Sequence, residues 1–199
     1  MPSTPTYYKY RALGNWQFLL DIFLHKRLYA GSFASMNDPM EGQSYYVNGK
    51  VRGDVRSAID SQREQWNICS LTPHVRNSLM WAYYANGHRG IAIGVELQRL
   101  KRGDIRRPVD YDSTVYVRPE EAKRSLSEVA TTILFRKQAL WGHEDEIRVL
   151  TRSQHVAVNI VEVHLGSLMA DADRRLVTAL VKLAAPTARV LKVSRSTLK

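Results

Sequence analysis

Residues 66–97, WNICSLTPHVRNSLMWAYYANGHRGIAIGVEL, decide the fold class. The first six residues, 66–71, read as a short strand. Asn77 or Ser78 then caps a helix that runs through Tyr84. Asn86-Gly87 closes that helix in a left-handed turn. Over residues 90–97 the pattern alternates, with Ile91, Ile93 and Val95 on one face and Ala92, Gly94 and Glu96 on the other. That is a half-buried strand with an open, small-residue side, where glycine permits close approach by a ligand or another backbone.

The same mixture extends in both directions. Residues 8–11 alternate Tyr8 and Tyr10 against Lys9 and Arg11, the mark of a short strand. Asn15 caps a predicted helix over 16–26, whose Phe18, Leu19, Ile22 and Phe23 recur at helical spacing. A strand is predicted over 28–33, a turn over 36–39 and a helix over 51–65. Beyond the central stretch come a strand at 109–111 and a long helix over 118–139 beginning at Pro119. A strand over 144–150 would carry Glu144, Glu146 and Arg148 on one side. A strand over 156–165, a helix over 171–183 and a strand over 188–193 complete the chain. Short strands intermixed with helices predict an α+β fold, a mixed or antiparallel sheet flanked by helices. A chain of 199 residues suits a single domain spanning 1–199, with a core that needs no covalent staples.

Composition narrows the setting. The hydrophobic share of 44% and charged share of 24% argue against wholesale disorder. Cys69 is the sole cysteine, which excludes an intrachain disulfide and a multi-cysteine zinc site and favours a reducing compartment. The start, MPSTPTYYKYR, has no secretory pattern, and no run approaches the roughly 18 apolar residues of a membrane span. The expectation is a cytoplasmic protein with no membrane partner.

The net charge of +10 is unevenly spread. Arg99, Lys101, Arg102, Arg106 and Arg107 cluster in segment 99–107, and seven further Lys and Arg residues fall in segment 174–199. Such clusters attract DNA or RNA through counterion release, or serve as a solvated face that maintains solubility.

Four clusters could carry chemistry. Arg11, beside Tyr10, is suited to fork a carboxylate or phosphate. Asn37, Asp38 and Glu41 form an acidic loop that binds a metal or hydroxyls, or folds as an ordinary Asx-turn. Ser70, Trp81, Tyr84 and His88 bring a hydroxyl, aromatics and an imidazole near one helix, where aromatics also serve as plain core. Trp141, Glu144 and Glu146 form the last cluster. The two carboxylates could tune one another, or Glu146 could pair with Arg148 or Arg11 as a structural salt bridge. HExxH, P-loop, GxSxG and GxGxxG motifs are absent.

Together these clusters resemble a bacterial family catalogued only as a domain of unknown function, family 2971. The matching features are the YKYR-like start at 8–11, an FNDP-E-like loop at 33–41, and an S-MW-YA-H-G-IG segment at 70–94. A W-E-E-R segment at 141–148 completes the pattern, so that the resemblance runs in order over about residues 7–165. Tyr83-Tyr84 departs from the pattern, and residues 43–65 are unmatched. This resemblance implies no activity.

A second resemblance, in layout alone, is to diphtheria-toxin-like ADP-ribosyltransferases. These use a basic residue on an early strand, an aromatic or serine after a middle strand, and a glutamate on a late strand. Carried over, it implies NAD as substrate. Arg11, Tyr10, Ser70, Trp81 and His88 would bind it, and Glu146, Glu144 and Tyr84 would be catalytic. Asn37, Asp38, Glu41 and Trp141 would border the pocket, with no metal. The implied role is a bacterial toxin or phage-defence effector acting on nucleic acid or a nucleic-acid-bound protein, with an antitoxin or defence-system partner. Two other readings stay open. One is a non-catalytic nucleic-acid-binding or adaptor domain. The other is a metal-dependent nuclease or phosphodiesterase built from Asp38, Glu41, His88, Glu144 and Glu146.

Overall fold

The computed structural model describes residues 4–36, 45–46, 53–112, 116–117, 121 and 123–194. The chain begins with β1 (Thr6–Arg11), α1 (Trp16–His25), β2 (Arg27–Tyr29), β3 (Gly31–Ser32), β4 (Tyr45–Tyr46) and α2 (Gly53–Arg63). Next come β5 (Asn67–Leu71), α3 (Ser78–Tyr84), β6 (Ile91–Leu97), β7 (Ile105–Pro108), β8 (Asp110–Asp112) and β9 (Tyr116–Val117). The remainder is α4 (Leu126–Leu134), β10 (Arg136–Gln138), β11 (Ile147–Thr151), β12 (His155–Leu165), α5 (Asp171–Ala184) and β13 (Arg189–Lys192).

Two sheets organise these elements into the α+β class. The first runs β1-β6-β12-β13, with β2 also on β12; β12 and β13 are parallel and the other pairs antiparallel. The second is antiparallel and runs β3-β5-β11-β7. Two short parallel pairs, β10-β8 and β4-β9, accompany them. The principal core lies on one face of the first sheet. There Ile91, Ile93 and Val95 of β6 pack with Phe23 of α1, Val163 of β12 and Val177 of α5. On the opposite face, Met80 and Trp81 of α3 pack against Tyr10 and Ala92.

Burial on both faces corrects the expectation of an open side on β6. A Cβ at Gly94 would lie 2.6 Å from Glu162 Cγ and 3.2 Å from the Tyr8 ring, so neighbouring side chains already fill the space. The strand expected over 28–33 breaks at Ala30, because β2 joins the first sheet and β3 the second. The expected long helix over 118–139, whose start at Pro119 lies outside the described residues, is represented among the described ones by α4. Ser125 and Glu128 form a capping box that starts the helix there, and the chain turns at Phe135 into β10. Nor do Glu144 and Glu146 alternate along a strand. Glu144 ends a 3-10 turn, Ala139–Glu144, Asp145 takes a left-handed φ of 42°, and β11 starts only at Ile147.

Local signals elsewhere act as read. Asn15 Oδ1 accepts from Phe18 N–H at the start of α1, and Asn77 Oδ1 from Leu79 and Met80 N–H at the start of α3. Asn86 and Gly87 take positive φ after α3. Among the described residues no helix is long and apolar enough to cross a membrane.

Among the described residues, the two sheets are joined by a backbone rung between Tyr8 and Thr72. Tyr8 N–H donates to Thr72 O at 2.7 Å, and Thr72 N–H donates to Tyr8 O at 3.1 Å. Beyond that rung β1 and β5 part, and a cavity opens between them.

Candidate functional site: a cavity between the two sheets

The cavity has a volume of about 320 Å³. It draws side chains from elements far apart in the chain. Lys9 and Arg11 come from β1, Ser70 from β5, Tyr84 from the last turn of α3, and Lys137 from β10. Glu144 and Glu146 come from the end of the 3-10 turn and the residue preceding β11.

The carboxylates are buried and held by cations. Arg148, fully buried, donates from Nε to Glu146 Oε1 at 2.7 Å and from Nη2 to Oε2 at 3.0 Å. Its Nη1 bonds the Leu134 carbonyl. Lys137 Nζ lies 2.6 Å from Glu144 Oε2 and 3.5 Å from Glu146 Oε2, with the Trp141 ring 5.1 Å beneath the ammonium. Tyr84 donates its hydroxyl to Glu144 Oε1 at 2.5 Å. The backbone N–H of Glu146 donates to the Tyr111 hydroxyl oxygen at 2.9 Å. Burial raises the Glu146 carboxyl above the usual range; Lys137 and the Ser70 hydroxyl pull against it, while Glu144 adds to the rise.

Among the described residues, the cations of β1 have no such partners. Lys9 Nζ donates to the Ser70 carbonyl at 2.7 Å. Burial, reinforced by neighbouring Arg11, lowers the Lys9 ammonium to about 8. The Arg11 side chain makes no hydrogen bond or ion pair among the described residues, its Nε is buried without a partner, and burial works against its charge. Among the described residues, three wall cations and the buried Arg148 behind them thus stand against two carboxylates, with the surplus on β1. A buried cation lacking a counter-charge is costly, so the cavity's electrostatics favour an anionic ligand.

Of the residues singled out in the sequence, Tyr10, Arg11, Ser70, Tyr84, Glu144 and Glu146 line this one cavity. Trp81 does not. It is fully buried, donates Nε1–H to the Val75 carbonyl and meets the Tyr10 ring edge-on. His88 stacks on that indole, ring centroids 6.2 Å apart, and is also absent from the wall. Trp141 acts one layer out, under Lys137. Asn37, Asp38 and Glu41 lie outside the described residues; the preceding Ser35 and Met36 are on the cavity wall. Among the described residues no group of three or more His, Cys, Asp or Glu side chains is placed to hold a metal.

The sequence reading missed Lys9 and Lys137. Lys9 carried a usable signal, since it shares a strand face with Arg11. Lys137 carried none, because it fell inside the expected long helix. In the basic segments, the five cations of 99–107 are all exposed, with Arg107 over the Phe135 ring at 4.3 Å. Arg189 is bound to Glu162, and Arg195 and Lys199 lie outside the described residues.

Fold and site define an α+β protein with a cation-rich cavity at the seam of two sheets. Residues 80–149 match the family model described as "Protein of unknown function (DUF2971)", in support of the resemblance read from the sequence. The matched span includes Tyr84, Lys137, Glu144, Glu146 and Arg148. No curated protein and no solved structure gives a match.

Proposed function

We propose that the cavity takes NAD and that the chain is an ADP-ribosyltransferase-like enzyme. One observation carries this reading: Arg11, Ser70 with Tyr84, and Glu146 line a single cavity although they come from three separate parts of the chain. Arg11 offers a guanidinium fork to the pyrophosphate. The Tyr84 ring offers a flat partner to the nicotinamide.

In the reaction, the bond between ribose C1 and the nicotinamide nitrogen breaks, and its electron pair leaves with nicotinamide. The sugar passes through an oxocarbenium-like state, which Glu146 stabilises by its negative charge. A lone pair of the acceptor forms the new bond to C1. Glu144, oriented by Tyr84 and Lys137, takes the acceptor's proton. Arg148 and Lys137 hold the two carboxylates in place. The exposed cations of 99–107 recruit a nucleic acid, or a protein bound to one, as acceptor. A toxin or phage-defence role with an antitoxin partner belongs to the same proposal.

A second reading has its own support. Both oxygens of Glu146 are taken up by Arg148, the structural ion pair foreseen as the plain alternative. This favours a non-catalytic nucleic-acid-binding or adaptor domain, whose salt-dependent binding survives Glu146→Gln.

The deciding experiment is nicotinamide release from labelled NAD, with and without DNA, RNA or cell lysate, for the wild type and Glu146→Gln. Release that vanishes in the folded variant, with label on one acceptor, supports the transferase. No release from folded wild type under any of these conditions sinks it and leaves the binding domain. Poor expression of the wild type, relieved in Glu146→Gln, is the expected sign of a toxin.

A further inference from the structure

The unequal treatment of the cavity's three wall cations, Lys9, Arg11 and Lys137, and of Arg148 buried behind the wall is informative. Lys137 and Arg148 each meet a carboxylate within hydrogen-bond distance. Lys9 and Arg11, one on either side of Tyr10 and on the same strand face, meet none among the described residues. Lys9 has three N–H donors and, among the described residues, uses one, on the Ser70 carbonyl. Two residues along one strand face separate their Cα atoms by about 6.6 Å. Two like charges so close repel unless an anion lies between them. One phosphoryl group has oxygens enough to bridge both heads, but two linked phosphoryl groups bring more negative charge and let each head keep oxygens of its own.

We propose that Lys9 and Arg11 together form a diphosphate subsite, which directs the ligand's sugar end toward Tyr84 and Glu144. The inference rests on the NAD reading for the identity of the ligand, but the subsite requires no transfer chemistry. It makes Lys9 a ligand-binding residue and selects nucleoside diphosphates and their sugar conjugates over monophosphates.

A proton dependence follows. The charged and titratable groups facing Lys9 are Arg11 on its own strand, Cys69 on β5, and Glu144 and Glu146 across the cavity. Burial and Arg11 outweigh the two carboxylates, so the amine loses its proton near pH 8. A ligand that needs the ammonium form therefore binds more weakly by about tenfold for each pH unit above that point.

The test is calorimetric titration of the full chain with ADP-ribose, ADP, AMP and inorganic pyrophosphate, at about pH 7 and about pH 9. Wild type, Lys9→Met, Lys9→Arg and Arg11→Met are compared, each checked for folding by its thermal transition. ADP-ribose, ADP and pyrophosphate are expected to bind, and AMP about tenfold or more weakly. Lys9→Met loses about tenfold or more at the lower pH and has a flat pH profile. Lys9→Arg keeps the affinity and also flattens the profile, because its charge persists. Should Lys9→Met fail to fold, the Lys9→Arg profile decides alone. Equal binding of AMP and ADP, an unchanged pH profile in Lys9→Arg, or no diphosphate binding by folded wild type overturns the subsite. ADP-ribose binding without nicotinamide release defeats the transferase and leaves the subsite standing. Release with a KM for NAD unaffected by Lys9→Met does the reverse.

Discussion

Arg148, which has no exposed surface, grips both oxygens of Glu146 at 2.7 and 3.0 Å. Removing one member of a buried pair strands the other charge, at a cost of about 3–5 kcal/mol. Arg148→Met is therefore expected to lower the unfolding free energy by that amount in urea. The double change Arg148→Met, Glu146→Leu should recover much of it, since both charges go. A single variant within about 1 kcal/mol of wild type would show that water or relaxation replaces the guanidinium.

Tyr84 and Glu144 provide a milder test. The hydroxyl is 2.5 Å from the carboxylate, and its removal leaves Glu144 with Lys137. Tyr84→Phe should cost about 1.5–3 kcal/mol, the range for a hydrogen bond to a charged group. Under the transferase reading, nicotinamide release should fall as well. Unchanged stability by thermal unfolding would place the hydroxyl's value elsewhere.

Glu162 contributes to the acid limb of stability. It accepts from the Tyr8 hydroxyl at 2.7 Å, pairs with His164 Nε2 at 2.9 Å and is reached by Arg189 Nη2 at 2.5 Å. Burial pushes its pKa up, but His164, Tyr8 and Arg189 more than offset this and hold it below the usual carboxylate value. In acid the unfolded chain therefore takes up this proton before the native state does. The stabilisation is present in full above the unfolded value and fades as pH falls through the lower, folded one. Melting temperatures between about pH 5 and pH 3 should fall less steeply in Glu162→Gln than in wild type. Parallel curves would refute the assignment.

Gly90 sets the position of the β1 end. A Cβ there would lie 2.2 Å from the Arg11 carbonyl oxygen and 3.0 Å from that of Ala85, both backbone atoms with little room to retreat. Gly90→Ala should cost at least about 1–3 kcal/mol, as overpacking does. Because the displaced carbonyl belongs to Arg11, pyrophosphate binding should weaken too, which calorimetry would detect. A stable variant with full affinity would contradict this geometry.

Much of the site was legible as separate clusters. Tyr8 to Arg11, Ser70 with Tyr84, and Glu144 with Glu146 stand out by residue type, and the structure brings them to one cavity. Trp81 stands out as strongly yet belongs to the packing behind it, with His88 of the following turn stacked on it, because an aromatic on a helix looks the same facing a ligand or a core. The Gly94 gap proved to be occupied by Glu162 and Tyr8, neighbours from β12 and β1 that the local pattern does not show.

By itself the sequence determined what short-range physics controls. Asn15 and Asn77 cap their helices, Asn86-Gly87 ends α3, and the alternation of 90–97 makes a strand, since each depends on residues a few positions apart. Residue types also determined the α+β class and the surplus of positive charge. Tertiary structure alone decided that β2 and β3 part at Ala30 to serve two sheets, and that Lys137 leaves the expected helix to meet Glu144. It likewise decided that Arg148 claims Glu146 while Arg11 meets no counter-charge among the described residues. Strand partnership and burial set those outcomes, because they join residues distant in the chain and change the cost of each charge.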